Sequence, residues 1–294
     1  MTTATIIESQ ATLPSLTTRR SLVRLRVHHL LRRKLAVIGA AIILLEVVAA
    51  IFGPLLVRYD PMAPNFAAIL QPPSADHWLG TDDLGRDILS RLLTGTRYSL
   101  LISVTAVTIA MIAGVCLGIM SGYVGGSIDE VLMRILDSFM ALPSLVLALA
   151  IAAALGPGLA NAMLAIAVAS VPTYARLVRG QTLSIKENEY ILAARATGVG
   201  SGRVVGRHIL PNTLGPVIVQ VSLGLGFAII TESSLSFIGL GIQPPIPTWG
   251  WMVQVGFQFL ETAPWYVLAP ASAIFLAVLG FNLLGDGLRD ALDA

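Results

Sequence analysis

From Leu35 to Val57 the chain carries one charged residue, Glu46, and from Ser99 to Ile128 it carries none. Further runs free of Asp, Glu, Lys and Arg extend from Ser138 to Ala175, from His208 to Thr231 and from Thr262 to Gly285. A helix needs roughly 18 to 20 apolar residues to cross about 30 Å of hydrocarbon, and each run is long enough. Lipid offers no partner for loose backbone N–H and C=O groups, so such runs read as fully hydrogen-bonded helices. The alternating pattern of a spanning β-barrel is absent. Composition points the same way: 55% of residues are hydrophobic and 12% charged, where a soluble domain carries roughly 25% charged residues. The chain reads as an all-α, polytopic membrane protein with about six transmembrane helices, near 35–57, 99–122, 131–155, 159–179, 213–240 and 264–285.

Lys and Arg placement orients these spans. Arg19, Arg20, Arg24, Arg26, Arg32, Arg33 and Lys34 crowd the segment before the first one. Arg176, Arg179, Lys186, Arg195, Arg203 and Arg207 crowd the connection between the fourth and fifth. Both therefore belong in the cytoplasm, and six crossings return the C-terminus, with Arg289, to the same side. The organisation expected is a basic tail at 1–34, a first transmembrane helix at 35–57, an external loop at 58–98, a five-helix core at 99–286 enclosing a cytoplasmic loop at 180–212, and a C-terminal tail at 287–294. All four tryptophans, Trp78, Trp249, Trp251 and Trp265, fall on the outer side, as interface anchors or loop cores.

Several chemistries are excluded by search. The chain has no G-x-x-x-x-G-K-[ST], and neither of its lysines, Lys34 and Lys186, follows a glycine; it lacks a phosphate-cradling loop of its own. There is no H-E-x-x-H, and His28, His29, His77 and His208 lie outside the spans, so an intramembrane zinc site or Ser–His dyad lacks its imidazole. Nothing suggests nucleic acid; the one-sided positive charge is explained by anionic membrane lipid. Cys116, the only cysteine, reads as a small packing residue.

Acids inside the spans are expensive and read by default as functional. Glu46 lies mid-span in the first helix and Glu232 deep in the fifth, where Ser233, Ser234 and Ser236 join it. Each fits two readings: an acid packed and hydrogen-bonded against a neighbouring helix, or a group lining a translocation pathway, with Glu232, Ser233 and Ser236 as its members. In "GTDDLGRD", Thr81 is placed to cap a helix whose first turn holds Asp82 and Asp83.

The loop 180–212 contains "EYILAARATGVGSGRVVGRHILP". Tyr190, Ala193, Ala194 and Thr197 recur at helical spacing on one mostly small face. Gly198 supplies a helix C′ residue, Ser201 a cap for a second short helix, and Pro211 its stop. The pattern A-A-x-x-x-G followed by L-P, at Ala193, Ala194, Gly198, Leu210 and Pro211, resembles the EAA loop of ABC importer permeases. "EYILAARATG" and "RHILPN", with "LGTDDLGRDILSRLLTGTRYSL" and "TESSLSFIGLGIQPPIPTWG", resemble the dipeptide, oligopeptide and nickel permease family, in its DppC/OppC-like member. Leu192 stands where the general pattern has Glu, and His208 where it has Ile.

The resemblance implies a type I ABC importer (MetI-like) permease fold in the cytoplasmic membrane of a prokaryote. It implies no catalysis and no cofactor in this chain, with ATP and Mg bound by two cytoplasmic ATPase partners. A second, DppB/OppB-like permease and an external solute-binding protein complete the assembly, which imports di- or oligopeptides. The first loop helix would couple to the ATPase through Ala193 and Ala194, with Gly198 making the turn and Glu189, Tyr190 and Arg195 supplying other contacts. A self-sufficient ion-coupled transporter using Glu232 and Glu46 is the alternative.

Overall fold

The computed structural model describes residues 33–293. The basic residues Arg19 to Arg32, and with them nearly all of the expected N-terminal tail, lie outside this range.

Helix α1 spans Lys34–Leu56 and leads into a long connection containing one 3-10 turn, Phe66–Ala68. Helices α2 (Ile88–Val124), α3 (Gly126–Met140), α4 (Ser144–Leu155) and α5 (Leu159–Lys186) follow. After α5 come two short helices, α6 (Glu189–Ala196) and α7 (Ser201–Val204), and a π turn, Val205–Ile209, that runs into α8 (Leu210–Phe237). Helix α9 (Trp249–Phe257) and α10 (Pro264–Asp293) complete the chain. Among the described residues five helical runs are long and apolar enough to span a membrane: α1, α2, α5, the run Ser201–Phe237, and α10. A sixth exists if α3 and α4 count as one broken span.

That break corrects the expected straight span at 131–155. Helices α3 and α4 meet at 88°, because Pro143 follows Leu142 at the junction: proline disfavours helix in the residue before it and donates no backbone bond. Helix α4 alone, 12 residues long, rises about 18 Å, short of a membrane crossing. Helix α3 carries Asp129, Glu130, Arg134 and Asp137, charges that are costly in hydrocarbon. The connection expected at 58–98 ends earlier, since α2 begins at Ile88 with Asp87 as its cap and Ser90 N donating to Asp87 Oδ2 at 2.8 Å. The tail expected from 287 is helical as far as Asp293. Residues 156–158 turn the chain from α4 into α5, with Gly156 and Gly158 both at positive φ.

Helices α2 and α5 make the most extensive contact in the molecule. Gly114, Gly118 and Gly122 form a stripe on α2 at a spacing of four, against Tyr174, Ala175, Val178 and Thr182. A Cβ at Gly118 would stand 2.5 Å from the Ala175 carbonyl oxygen. Lipid-embedded helices associate through van der Waals contact rather than a hydrophobic drive, and small residues let the backbones approach. The surrounding core is correspondingly rich in alanine: Ala106 and Ala110 on α2, Ala162, Ala165 and Ala167 on α5, Ala228 on α8. Cys116 faces outward and is exposed, not packed in this core.

The two ends of the bundle differ. Arg33 and Asp290 pair at 3.2 Å, so the start of α1 and the end of α10 share one end. Tyr266 Oη donates to Asp83 Oδ1 at 2.9 Å, so the 57–87 connection and the start of α10 share the other.

Candidate functional site

Helix α6 is short and held at one point. Ile191 is fully buried with Ile185, Val204 and Ile209, while Tyr123, Val199 and Val205 pack around them. Around that anchor Glu189, Tyr190, Ala193, Arg195 and Gly198 are exposed and Ala194 is half-buried. The helix ends as a Schellman motif: Val199 N donates to Ala194 O at 3.1 Å and Gly198 N to Arg195 O at 3.0 Å. Gly198 sits at φ +80°, where any side chain is strained. Two contacts tie the element down. The Arg195 guanidinium lies 5.0 Å from the centre of the Tyr123 ring at the end of α2, and the Tyr190 and His208 rings lie 5.9 Å apart.

Pro211 does not stop the second helix as the sequence suggested, and Ser201 makes no side-chain cap. Ser201–Phe237 is one helical run. The π turn before Pro211 explains how: Leu210 N donates to Val205 O, one residue further back than in an α-helix, which loosens the coil where the proline ring would clash. Below α6, the basic residues of α5 are paired. Arg179 holds Asp129 of α3 at 2.6 and 2.7 Å, and the Ser121 hydroxyl of α2 bonds the same carboxylate. Lys186 Nζ donates to Gly122 O at 3.0 Å.

The acids inside the spans separate. Glu232 has no exposed surface; Ser236 Oγ donates to its Oε1 at 2.8 Å and Ser233 Oγ to its Oε2 at 3.5 Å. Ser99 of α2 faces the same carboxyl and accepts from Trp249 N at 3.3 Å. Glu232 and Ser236 are buried where α2, α8 and α9 meet. Ser233, the third residue singled out for a pathway, borders a groove between α4, α8 and α9. Glu46 is 8% exposed, and neither carboxylate oxygen has a partner among the described residues.

Residues 114–294 match the model for the binding-protein-dependent transport system inner membrane component, and residues 21–73 match that for the N-terminal transmembrane domain of oligopeptide transport permease C. The chain is 50% identical to the dipeptide transport system permease protein DppC of Alkalihalophilus pseudofirmus, over 89% of this chain and 86% of that one. It is 48% identical to the probable D,D-dipeptide transport system permease protein DdpC of Escherichia coli, over 88% and 87%. Against the oligopeptide transport system permease protein OppC of Bacillus subtilis the identity is 43%, over 88% and 85%. This chain is a binding-protein-dependent transport permease. Its fold is that of the MetI-like type I importers: a structure of the MetNI methionine ABC transporter, described as inward-facing, superimposes with a TM-score of 0.56 at 18% identity, over 68% of this chain and 95% of that chain.

The permease carries one cluster that its sequence did not reveal. Asp82, fully buried, accepts from Leu84 N and Arg86 N at 2.9 Å each, and pairs with Arg86 Nε at 2.7 Å and Arg91 Nε at 3.2 Å. Arg91, 1% exposed, also donates to Pro61 O at 2.7 Å. Thr81, expected to cap a helix, instead accepts from Gln71 N at 2.8 Å and donates to Ala68 O inside the connection. The signal is present as alternating acids and arginines in "GTDDLGRDILSR", yet a helical reading of the spacing places Asp82 and Asp83 on a first turn capped by Thr81. Trp249, expected as an interface anchor or a loop core, is fully buried against α2.

Proposed function

We propose that this permease is one of two membrane subunits of an ABC importer that takes up di- or oligopeptides from an external solute-binding protein. ATP and Mg are bound by two partner ATPases, one of which docks on α6. The permease itself does no chemistry; it lies in the cytoplasmic membrane of a prokaryote with both termini and α6 inside. The observation that carries this reading is the build of α6: a short helix, rigidly anchored through Ile191, that presents Ala193 and Ala194 beside a Gly198 turn. A small face on a fixed anchor suits close approach by another protein. Glu189, Tyr190 and Leu192 rim that face, Arg195 braces it from behind on Tyr123, and Pro211 marks where the loop re-enters α8. Peptide cargo is supported by the relatives, which are dipeptide and oligopeptide permeases. The Arg33–Asp290 pair supports placing both ends of the chain on one side.

Isolation of the protein from gently solubilised native membranes tests the assembly. Recovery with a second permease and two ATPases, together with ATP-dependent peptide uptake by vesicles containing them, is the expected result. Recovery of this chain alone, active in uptake driven only by a proton gradient, overturns it.

A further inference from the structure

A polar groove runs along the seam of α5 and α8, and nothing above assigns it. Two cavities form it, one of about 550 Å³ between the start of α8, the end of α10 and Leu177 of α5, and one of about 290 Å³ between α5 and α8, both lined by Gln220 and Leu223. On α8 the lining runs from Asn212 to Phe227 at helical spacing, about 22 Å at 1.5 Å per residue. Gln220 lies midway, about 15 Å along α8 from Leu210, which is close to the centre of a hydrocarbon layer about 30 Å thick. Its side-chain amide makes no hydrogen bond to another described residue, and opposite it on α5 stand Ser170 and Thr173. An unpartnered amide at that depth is costly against lipid, so this seam faces water, cargo or a partner. Elsewhere on α8 the exposed residues are apolar: Leu214 and Ile218 face away from the groove.

We propose that this groove is the permease's share of the cargo path, and that Gln220 and Thr173 hold the backbone amides of an extended peptide passing through it. The inference rests on the importer reading above and names the site that reading lacks. Amide and hydroxyl groups both donate and accept, so they match a peptide backbone whatever its side chains are. None of the described residues lining the two cavities is acidic. At 3.3–3.6 Å per extended residue the groove takes about six residues. It ends near Phe227, one turn short of the fully buried Glu232.

The single cysteine makes the test direct. In cells whose chromosomal copy carries Cys116→Ala, Gln220→Cys and Thr173→Cys are introduced singly, with Ile218→Cys as the control on the lipid side of α8. Inside-out vesicles holding the whole importer are treated with a membrane-impermeant thiol reagent. Labelling of Gln220→Cys and Thr173→Cys but not Ile218→Cys, slowed by di- or tripeptide in the medium, is expected. Separately, Gln220→Leu lowers peptide uptake roughly fivefold, the equivalent of one neutral hydrogen bond, with ATPase coupling intact. Cysteines that stay unlabelled in the importer yet react in the isolated subunit make the seam a packing face for the second permease and overturn the proposal. Labelling that peptide does not slow, with Gln220→Leu transporting at the parent rate, overturns it too. ATP-dependent uptake by the parent vesicles is measured alongside, so a failed groove is distinguished from a failed importer reading.

Discussion

Asp82→Asn removes one charge from a site with no exposed surface. Asparagine keeps an oxygen for the Leu84 and Arg86 backbone N–H groups, so the turn retains its two 2.9 Å bonds. The other atom changes sign of function: an NH₂ donor replaces the oxygen that met Arg86 Nε at 2.7 Å and Arg91 Nε at 3.2 Å. Two guanidinium groups, one 8% and one 1% exposed, then face a donor with no counter-charge between them. Breaking a buried pair by changing one partner costs about 3–5 kcal/mol. Here Arg91 keeps the Pro61 carbonyl and Arg86 keeps Asp83 at 3.6 Å, which favours the lower figure of about 3 kcal/mol.

At about 2–4 °C per kcal/mol for a domain of this size, that is a fall in Tm of roughly 6–12 °C. Asp83→Asn is the internal control. That side chain is 25% exposed, holds Arg86 only at 3.6 Å, and retains an oxygen for Tyr266 Oη, so its loss stays below about 1 kcal/mol. The assay is thermal unfolding of the detergent-solubilised complex, followed by the fraction remaining monodisperse after heating. The reasoning is refuted if Asp82→Asn and Asp83→Asn melt together, because burial would then have no bearing on the cost. The cluster is not a source of net stability in itself, since a buried ion pair gains little over a well-packed apolar set; it fixes where the 57–87 connection sits on α2 and α10.

Gly118→Ala places a methyl 2.5 Å from a carbonyl oxygen of α5 and is expected to destabilise by about 1–3 kcal/mol, read as a lower melting temperature. Ala gives Gly198 a Cβ at φ +80° with open space around it, so Gly198→Ala costs about 1–2 kcal/mol of backbone strain and no clash; hydrogen exchange at Val199 rises while the bundle melts as before. Ala193→Arg leaves the bundle and its melting unchanged, because the residue is exposed, yet it abolishes peptide uptake and ATPase co-purification; uptake at the parent rate removes α6 from the docking surface.

What was legible follows from what lipid dictates. Charge-free runs located α1, α2, α5, α8 and α10 because the cost of burying charge is local and one-dimensional. The Gly198 turn was legible because its conformation is a property of one residue. Helix α9 was not: "PTWGWMVQVGF" carries its own cap in Thr248, whose Oγ1 accepts from Trp251 N at 3.2 Å, but the segment is too short for a span and was left as connection. The right angle at Pro143 lay in an apolar run that hydropathy alone treats as continuous. The Arg91–Asp82 pair joins residues on a turn and a helix, a spacing with no periodic signature. Glu232 stands out in the sequence as an acid in an apolar helix, and only packing shows that its partners are the hydroxyls of Ser236, Ser233 and Ser99.

These pieces fix how a push on α6 would spread. The helix is not a tether, since Ile191 is buried against Ile185 of α5 and Ile209 at the start of α8. Arg195 rests on the last turn of α2, Lys186 holds the Gly122 carbonyl there, and Asp129 binds α3 to α5 through Arg179. Helices α2, α3 and α5 thus form one body at this end, glued by the close glycine contacts. Helix α8 joins that body through a π turn, where one hydrogen bond runs a residue long. Rigid packing transmits displacement and does not absorb it, so a displacement of α6 would be carried to α2, α3 and α5 together. Helix α8 meets that body along the polar groove, with the π turn at its start.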